Sequence, residues 1–511
     1  MFLQILTLAV IFFLTFPFFF FFILNINSNS KSNKPSSTTS DVLPKRYPII
    51  GSYLAVKSNL RNRVQWITQI LQHCPSATYT LHHVFGYRQI FTANPDNVHH
   101  ILKTNFNNYP KGHFFINVFF DFLGNGIFNA DGDPWKFQRQ VSSHEFNTKS
   151  LRKFVETVVD SELHGRLIPF LSDAVSDRTV VDLQDVLQRF AFDNVCKIAF
   201  GYDPACLLPS LPPTQFADAF EEATRLSADR FRAPLSIHWR IERFLNIGSE
   251  RKLKTAISRV RDFSEKVVRE KKQELADNSS LKSVDLLSRF LSSGHSDENF
   301  VTDIVISFIL AGRDTTSAAL TWFFWLIYKH PEVEKEILKE IKEKSDMPVY
   351  EEVKDMVYIH ASLCESMRLY PPVPTDGKLA VEDDVLPDGT VVKKGTLVTY
   401  APYAMGRMEK IWGPDWAEFK PERWLESDEA GKRSLVGRDP YTYPVFNAGP
   451  RICLGKEMAF LQMKRLVGGV LRRFKVVPVG EERFEPVFLA YLTAKMEGGF
   501  PVRVIERGEL H

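Results

Sequence analysis

The 511-residue chain carries few cysteines and almost no net charge, and these two scarcities exclude several classes of protein. Its five cysteines are scattered and include no C-x-x-C pair, so they fit neither a disulfide framework nor a zinc cluster, and they favour a reducing compartment. A formal net charge of +3 is too small to indicate nucleic acid as a partner. Motifs of serine hydrolases, zinc proteases and phosphate-binding loops are absent, and GNGIFN lacks the last glycine of a dinucleotide fingerprint. The sequence therefore shows no nicotinamide site of its own.

The N-terminus is different, because residues 1–24 are intensely apolar. No charged side chain occurs from Leu3 to Leu24, and as a helix this stretch would span about 33 Å, enough to cross a bilayer. A cleaved signal peptide is the alternative, but the run is too long, no positive residue precedes it and no small-residue cleavage site follows. Positive charges begin at Lys31, after the span, which predicts a cytosolic body. We therefore predict an uncleaved transmembrane anchor over residues 1–24.

The rest of the chain is predicted to form a linker and one large domain. Residues 25–43 are rich in Ser, Asn and Thr and predict a flexible linker, whereas residues 44–511 contain no repeat and no second linker. Strand-like alternation is confined to short stretches, LHHVFGYRQIFTA, GTVVKKGTLVTYA and GGFPVRVIE. Most other long segments have helical periodicity, for example LKTAISRVRDFSEKVVREKKQELA. The sequence predicts a mainly α fold with small peripheral β-sheets.

One predicted helix, residues 300–331, is apolar on nearly all sides and ends at Pro331. Such a helix either runs through the core of a soluble domain or crosses a membrane a second time. Arg313 and Asp314 at its middle would be expensive in a bilayer. We therefore predict a core helix.

The stretch FNAGPRICLG sets a cysteine between glycines just before a predicted helix. Glycine lets the backbone turn tightly and approach a flat cofactor, while free N–H groups at a helix N-terminus favour a thiolate, which can ligate iron. A structural cysteine on a glycine-containing turn is the alternative. The ligand is favoured because the stretch fixes five residue types over ten positions, at Phe446, Gly449, Arg451, Cys453 and Gly455.

This loop resembles the haem-binding loop of the cytochrome P450 superfamily, the haem-thiolate monooxygenases, and three further motifs follow in the family's order. The resemblance covers essentially the whole chain after the anchor and implies the cytochrome P450 fold. It implies haem b as cofactor, with Cys453 as the axial ligand to iron and Arg451 on a haem propionate. It also implies O₂ as co-substrate and electrons from NADPH, delivered by a separate membrane-bound cytochrome P450 reductase.

The first further motif is AGRDTT, within the long predicted helix. Gly312 costs helix stability and Thr315 can turn its hydroxyl onto a carbonyl one turn back, so with Ala311 they can open a notch in the helix. The resemblance assigns this notch to dioxygen and makes Asp314 and Thr315 the proton-delivering pair. The alternative is that Thr315 merely satisfies its own helix.

The second motif is ESMR, in which Glu365 and Arg368 share one helix face and can pair. On its own this pattern would indicate an ordinary surface salt bridge. The resemblance adds Arg423 of PERW and predicts a buried network that supports the cysteine loop. Trp424 stands where the family more often has Phe, which we interpret as a conservative departure.

The third motif is WKFQR, in which Trp135 and Arg139 lie one helical turn apart and both donate hydrogen bonds. The resemblance places them on the haem propionates, and Lys378 is a weaker candidate for another such contact. We interpret four further cations as a basic patch to which the reductase docks; the alternative is that they are simply solvated. They are Lys136, Lys456, Lys464 and Arg465.

Within the superfamily, NADGDPWKFQRQVSSHEFNTKSLRKF and YAMGRMEKIWGPDWAEFKPERWL look most like the plant fatty-acid omega-hydroxylases. The clade also resembles enzymes that oxidise the chain end of jasmonoyl-isoleucine and a few that act on steroid side chains. We predict a single-pass enzyme of the endoplasmic reticulum membrane, with a cytosolic catalytic domain, that hydroxylates the terminal carbon of a fatty acid. The rivals are a hydroperoxide isomerase that needs neither O₂ nor reductase, which the DTT sequence argues against, and a non-catalytic haem sensor.

The predicted substrate pocket draws on residues 110–127, 220–245 and 371–380. Ser307, Phe308 and Ala311 are predicted walls near the haem, because they lie one helical turn or less before the notch. A cation near the mouth of the pocket would hold a substrate carboxylate. Three arginines are candidates by position alone: Arg225, Arg230 and Arg232.

Overall fold

The computed structural model describes residues 42–508, apart from 147–148, 209, 212–214, 234–235, 278–284, 293–296 and 481–484. The chain divides into two units, Met1–Leu43 and Pro44–His511. The predicted anchor (1–24) and all but the last two residues of the predicted linker (25–43) lie outside the described residues. Within the described ranges, no helix combines the length and the apolarity that a bilayer crossing needs.

Helices make up most of the second unit. The first half of the unit contains α1 (Tyr53–Ser58), α2 (Arg63–His73), α3 (Pro95–His99), α4 (Gly112–Leu123), α5 (Gly132–Phe146), α6 (Lys149–Glu162), α7 (Ile168–Ser176), α8 (Leu183–Phe200), α9 (Gln215–Arg232), α10 (Ser236–Leu245) and α11 (Gly248–Asp277). The second half contains α12 (Leu286–Ser292), α13 (Glu298–Ile309), α14 (Thr315–Lys329), α15 (Pro331–Lys342), α16 (Tyr350–Lys354), α17 (Val357–Leu369), α18 (Pro402–Met405), α19 (Glu409–Trp412) and α20 (Lys456–Arg473). The predicted mainly α class is confirmed.

The strands form small sheets, and the three predicted strand regions all contribute to them. They are β1 (Thr78–His82), β2 (Arg88–Thr92), β3 (Val181–Asp182), β4 (Asp376–Leu379), β5 (Asp384–Val385), β6 (Val391–Val392), β7 (Leu397–Tyr400), β8 (Leu425–Ser427), β9 (Arg433–Leu435), β10 (Phe474–Pro478), β11 (Phe488–Ala490), β12 (Ala494–Met496) and β13 (Pro501–Glu506). The largest sheet has the order β1-β2-β7-β4, with β2 and β7 parallel and the other two pairs antiparallel. A second sheet has the order β10-β13-β3, and three two-stranded ribbons complete the set in the described chain.

The predicted core helix is buried along most of its length. It comprises α13, a π-helical turn at Leu310–Asp314, and α14, which ends at Lys329 just before Pro331 starts the next helix. Trp322, Phe323 and Leu320 are each at most 1% exposed. The charged pair at its middle is buried too: Arg313 donates to Asp314 at 2.8 Å. An ion pair of this kind explains how the helix carries charge through a protein core.

The π-helical turn is where Gly312 lies. A Cβ added to Gly312 would stand 2.5 Å from Cγ2 of Val195 on α8, which is closer than any relaxed packing allows. Glycine is therefore required here for the close approach of α8, and not only to weaken the helix as the sequence predicts. The π-helical turn and its close contact with α8 together position the core helix (α13, the turn and α14), which we call the central helix, over the cavity described next.

Candidate active site

A cavity of about 410 Å³ lies between the central helix and the cysteine loop. Its lining brings together Cys453 and Arg451 from that loop with Ala311, Gly312 and Thr315 from the π-helical notch. Other predicted cofactor residues lie at the same cavity, namely Trp135, Arg139, Phe446 and Gly455. The predicted walls Ser307 and Phe308 also line it. Residues from 110–127 and 371–380 contribute to the lining, whereas none from 220–245 does within the described chain.

The cysteine loop is held by its own backbone and by one glycine. The Cys453 N–H donates to the carbonyl oxygen of Phe446 at 2.8 Å, which closes the loop on itself. Gly449 has a φ of +63°, and an added Cβ would lie 2.1 Å from the Leu102 carbonyl oxygen. Gly449 is outside the cavity lining, and the close approach that it permits in the structure is to the protein backbone; its approach to the cofactor stays a prediction.

The Cys453 side chain is solvent-accessible because it faces the cavity, although protein surrounds it on its other sides. Burial raises the pKa of the Cys453 thiol, and the backbone N–H groups of Gly455 and Lys456 act in the opposite direction, as does the positive charge of Arg139. The groups that the sequence predicts to favour a thiolate are therefore present, but burial outweighs them. A bound cation at the sulfur would reverse that balance.

Cations gather at one edge of the cavity. The guanidinium of Arg451 lies 4.3 Å from the centre of the Trp135 ring and donates to the Asp131 carboxylate at 2.5 Å. Burial lowers the pKa of Arg451, and Asp131 opposes this shift. Arg139 reaches the same cavity, and burial lowers its pKa as well, against the opposing influence of the cysteine.

Lys378 lies in the same charged region but not in the cavity lining. Its ammonium donates to Asp376 at 2.8 Å, and burial lowers its pKa to about 7. Asp376 also accepts hydrogen bonds from Lys111 at 3.0 Å and from the Tyr400 hydroxyl at 2.8 Å. Lys111 and Asp376 both line the cavity, whereas sequence reasoning singled out neither of them.

The notch in the central helix has the hydrogen bond that the sequence predicts. The Thr315 hydroxyl donates to the Ala311 carbonyl oxygen at 2.6 Å, and both residues line the cavity. Asp314 is 3% exposed and does not line it, since its carboxylate accepts from Arg313. Its second oxygen has no hydrogen-bond partner within the described chain. The structure thus puts Thr315 at the cavity and Asp314 one layer behind it.

Glu365, Arg368 and Arg423 form the predicted buried network. Both oxygens of Glu365 accept from Arg368 at 2.8 Å, and one also accepts from Arg423 at 3.2 Å. The indole N–H of Trp424 donates to Glu365 at 2.9 Å. Phenylalanine could not make this bond, so the interpretation of Trp424 as a conservative departure is wrong. The hydroxyl of Tyr443, which lies just before the cysteine loop, donates to the Cys364 carbonyl oxygen at 2.9 Å. This bond connects the loop to α17, the helix that carries Glu365 and Arg368.

Two groups of predicted contact residues are placed differently from the sequence interpretation. Lys464 is 4% exposed and donates to the carbonyl oxygens of Val353 and Lys354, and Arg465 is 2% exposed and pairs with Glu156 and Asp160. These two are structural cations, so the basic patch retains only Lys136 and Lys456, both exposed.

The three arginine candidates for a substrate carboxylate also lie outside the cavity lining. Arg230 is 5% exposed and already pairs with Glu250 and Asp121, and Arg225 and Arg232 pair with Asp229. Their charges are satisfied by nearby carboxylates, which sequence position alone does not reveal.

Comparison with known proteins identifies the fold. A family model described as Cytochrome P450 matches residues 42–496. The chain belongs to the cytochrome P450 family. It is 63% identical to cytochrome P450 94A2 of Vicia sativa over 479 residues, which is 93% of each chain, and 62% identical to cytochrome P450 94A1 of the same plant over 91% of each chain. It is 50% identical to cytochrome P450 94B1 of Arabidopsis thaliana, over 92% of this chain and 93% of the relative. The predicted placement among plant members of the family is confirmed.

The residues of this P450 fit the haem that its family uses. Arg139 and Arg451 both reach the cavity edge, and only Arg451 has a carboxylate partner, Asp131, in the described chain. Their remaining positive charge suits the carboxylates of haem b, while the thiol and the apolar lining match its iron and its flat ring. When bound, haem supplies the iron at which O₂ is reduced with NADPH-derived electrons from a reductase, and one oxygen atom is inserted into a C–H bond.

The chain's own residues then have distinct tasks. Cys453 would hold the iron, and Arg139, Arg451 and Trp135 would hold the haem carboxylates. The Thr315 hydroxyl, at the notch, is in position to hold or pass a proton on the cavity side. The apolar wall of the cavity orients a lipophilic substrate and excludes water.

Proposed function

We propose that this P450 hydroxylates the terminal carbon of a fatty acid. The observation that carries the proposal is the cavity, which is lined mostly by apolar side chains and extends from Cys453 to Phe115 and Leu492. A terminal methyl C–H bond is stronger than its methylene neighbours, so attack at the chain end requires positioning rather than intrinsic reactivity. The resemblance of the chain to plant fatty-acid omega-hydroxylases supports the same substrate class.

The carboxylate end of the substrate needs a cation, and the cavity wall offers Lys111. Its ammonium is 3.0 Å from Asp376 and 4.7 Å from the centre of the Phe115 ring, and its side chain is 12% exposed. An ammonium has three N–H donors, so a substrate carboxylate can bind beside Asp376 without displacing it. Lys111 therefore replaces the arginine candidates in this proposal.

We also propose that the catalytic unit works at the endoplasmic reticulum membrane, anchored once through residues 1–24. An exposed apolar stripe on α10 supports contact with a lipid surface. Ile237 is 59% exposed, Ile241 51% and Phe244 89%, at the spacing of one helix face. Co-fractionation of the full chain with microsomes, and its loss when residues 1–24 are deleted, would test this placement.

The activity test uses the full-length protein with a plant NADPH–cytochrome P450 reductase. We expect lauric and palmitic acids to give terminal alcohols, identified by mass spectrometry. Mostly subterminal alcohols would defeat the positioning argument, and conversion of jasmonoyl-isoleucine or a steroid with fatty acids untouched would replace the substrate class. Turnover of a fatty-acid hydroperoxide without reductase would favour the isomerase rival.

Lys111→Met tests the carboxylate anchor. Loss of one charge-assisted hydrogen bond is worth about 1.5 kcal/mol, so KM for the acid should rise about tenfold. KM for the methyl ester of the same acid, which has no carboxylate, should stay unchanged. Lys103→Met is the matched control, because Lys103 is an exposed cation on the π-helical segment His100–Thr104, which precedes α4 in the chain.

A further inference from the structure

Asp131 lies between two elements that face the cavity, and sequence reasoning gave it no role. Its carboxylate accepts hydrogen bonds from the backbone N–H groups of Lys111 and Gly112, each at 3.1 Å. The same carboxylate accepts from Nη2 of Arg451 at 2.5 Å. One side chain therefore contacts both the start of α4 and the arginine of the cysteine loop.

The contact with α4 satisfies the N-terminus of that helix. Lys111 is the N-cap residue, and its own side chain makes no capping bond. Asp131 supplies the missing acceptor from 19 to 20 residues further along the chain. A carboxylate at this end also interacts favourably with the helix dipole. Because Phe115 and Leu123 of α4 line the cavity, the position of this helix affects what the cavity can hold.

The contact with Arg451 fixes one part of its guanidinium and leaves the rest available. Nη2 donates both to Asp131 and to the Ala130 carbonyl oxygen at 3.2 Å. The flat group stacks on Trp135. Among the described residues no acceptor contacts Nε or Nη1, and Arg451 lines the cavity. Asp131 thus orients the arginine so that its remaining donors are free for an anionic ligand in the cavity.

We propose that Asp131 is a positioning residue that couples the substrate-facing helix α4 to the haem-edge arginine Arg451. It sets the direction of the Arg451 donors and compensates their charge, and at the same time it caps the helix whose side chains meet the substrate. Loss of the Asp131 charge should therefore change both haem binding and substrate binding. The inference rests on membership of the family and holds for any substrate of this P450.

The test compares Asp131→Asn with Asp133→Asn in the full-length holoenzyme. Asp133 is the matched control, because it undergoes the same change two residues away while its side chain is 92% exposed and its ion pair in the described part of the chain is with exposed Lys136. In Asp131→Asn the Arg451 charge is less compensated, which favours the reduced haem, so the midpoint potential should become more positive. Transfer of haem to apomyoglobin should be about tenfold faster, because an Arg451 that Asp131 no longer directs loses one charge-assisted bond to a haem carboxylate. Asp133→Asn should match the wild type in both measurements.

The coupling to α4 is read from ligand titrations of the oxidised enzyme. The dissociation constant for lauric acid, followed by the spin-state change, should rise several-fold in Asp131→Asn. The constant for imidazole, a small ligand of iron that has no acyl chain, should not change. If lauric acid leaves the spectrum of the wild type unaltered, the proposed substrate class is wrong, and the potential and haem-transfer measurements still decide the role of Asp131.

Two further variants exclude a merely structural role. In an Arg451→Gln background the shift in potential caused by Asp131→Asn should disappear, because the two residues act through one contact. Asp131→Glu keeps the charge and should recover most of the wild-type potential and haem retention. The proposal is overturned if Asp131→Asn behaves like Asp133→Asn, if the shift persists without Arg451, or if Asp131→Glu is as poor in haem retention as Asp131→Asn.

Discussion

Replacing Trp424 by phenylalanine tests whether the indole hydrogen bond matters to the buried network. Trp424 is 3% exposed, and its N–H donates to Glu365, which is fully buried. The substitution keeps an aromatic ring against Trp412 and Tyr443, with which Trp424 makes ring contacts now. It removes the pyrrole part of the indole and one donor to a buried carboxylate.

The cost can be worked from the contacts. A hydrogen bond to a charged group contributes about 1.5–3 kcal/mol, and the lower end applies because Glu365 keeps Arg368, Arg423 and a backbone N–H as donors. The lost ring atoms leave a small cavity that costs about 1 kcal/mol more. We expect a total of about 2–3 kcal/mol. For a unit as large as Pro44–His511, an unfolding entropy of about 2.1 cal/mol/K per residue converts this to about 2–3 °C in the unfolding midpoint.

The assay follows loss of the thiolate-type carbon-monoxide spectrum on heating, at one scan rate for all variants. Trp322→Phe is the matched control: Trp322 is 1% exposed, stacks on Tyr370, and its N–H has no hydrogen-bond partner in the described chain. That variant loses similar ring area but also removes an unsatisfied donor, so its midpoint should fall by about 1 °C or less. A Trp424→Phe midpoint no lower than that of Trp322→Phe would refute the reasoning.

Three other predictions depend on single positions. Cys453→Ala should abolish the long-wavelength Soret band of the reduced carbon-monoxide complex, and a retained band would refute the ligand assignment. Gly312→Ala should lower the unfolding midpoint through the clash with Val195, and Val195→Ala should restore it; an unaltered midpoint would contradict the packing account. Burial lowers the pKa of Lys464 to about 8, so between pH 8 and 10.5 the unfolded chain binds more protons and folding stability should rise with pH. Denaturant titrations of Lys464→Met should lack this rise, and an identical rise would assign it to another group.

The sequence predicts the fold class and the cavity residues well where the pattern is local. The apolar helix through the core, the cysteine loop and the notch at Thr315 are each readable from ten to thirty consecutive residues. The π-helical form of the notch and the contact of Gly312 with Val195 are not, because they depend on a helix more than a hundred positions away. Periodicity describes one element at a time and carries no information about which partner packs against it.

Charged side chains are another case in which the local sequence does not reveal the packing partner. Lys464, Arg465 and Arg230 have the composition of a solvated surface in the sequence, yet each is at most 5% exposed. A cation can be buried only where acceptors meet it, and those acceptors lie on distant segments: carbonyl oxygens of α16 for Lys464 and carboxylates of α6 for Arg465. Asp131 could have been considered from the sequence, since it precedes Trp135 by four residues in the motif NADGDPW. Nothing in the local sequence, however, indicates that it contacts Arg451.

Carboxylates, rather than cations, organise the charged regions of this P450. Glu365 holds Arg368 and Arg423, Asp376 holds Lys111 and Lys378, and Asp131 holds Arg451 together with a helix N-terminus. One carboxylate can accept hydrogen bonds from several donors at once, whereas a cation away from bulk water needs a carboxylate partner to remain charged. Removing a carboxylate therefore leaves several donors without a partner, while removing one cation leaves the other donors paired. At the cavity edge Asp131 and Asp376 direct Arg451 and Lys111, so a change in either acid should alter how the cavity binds an anionic group.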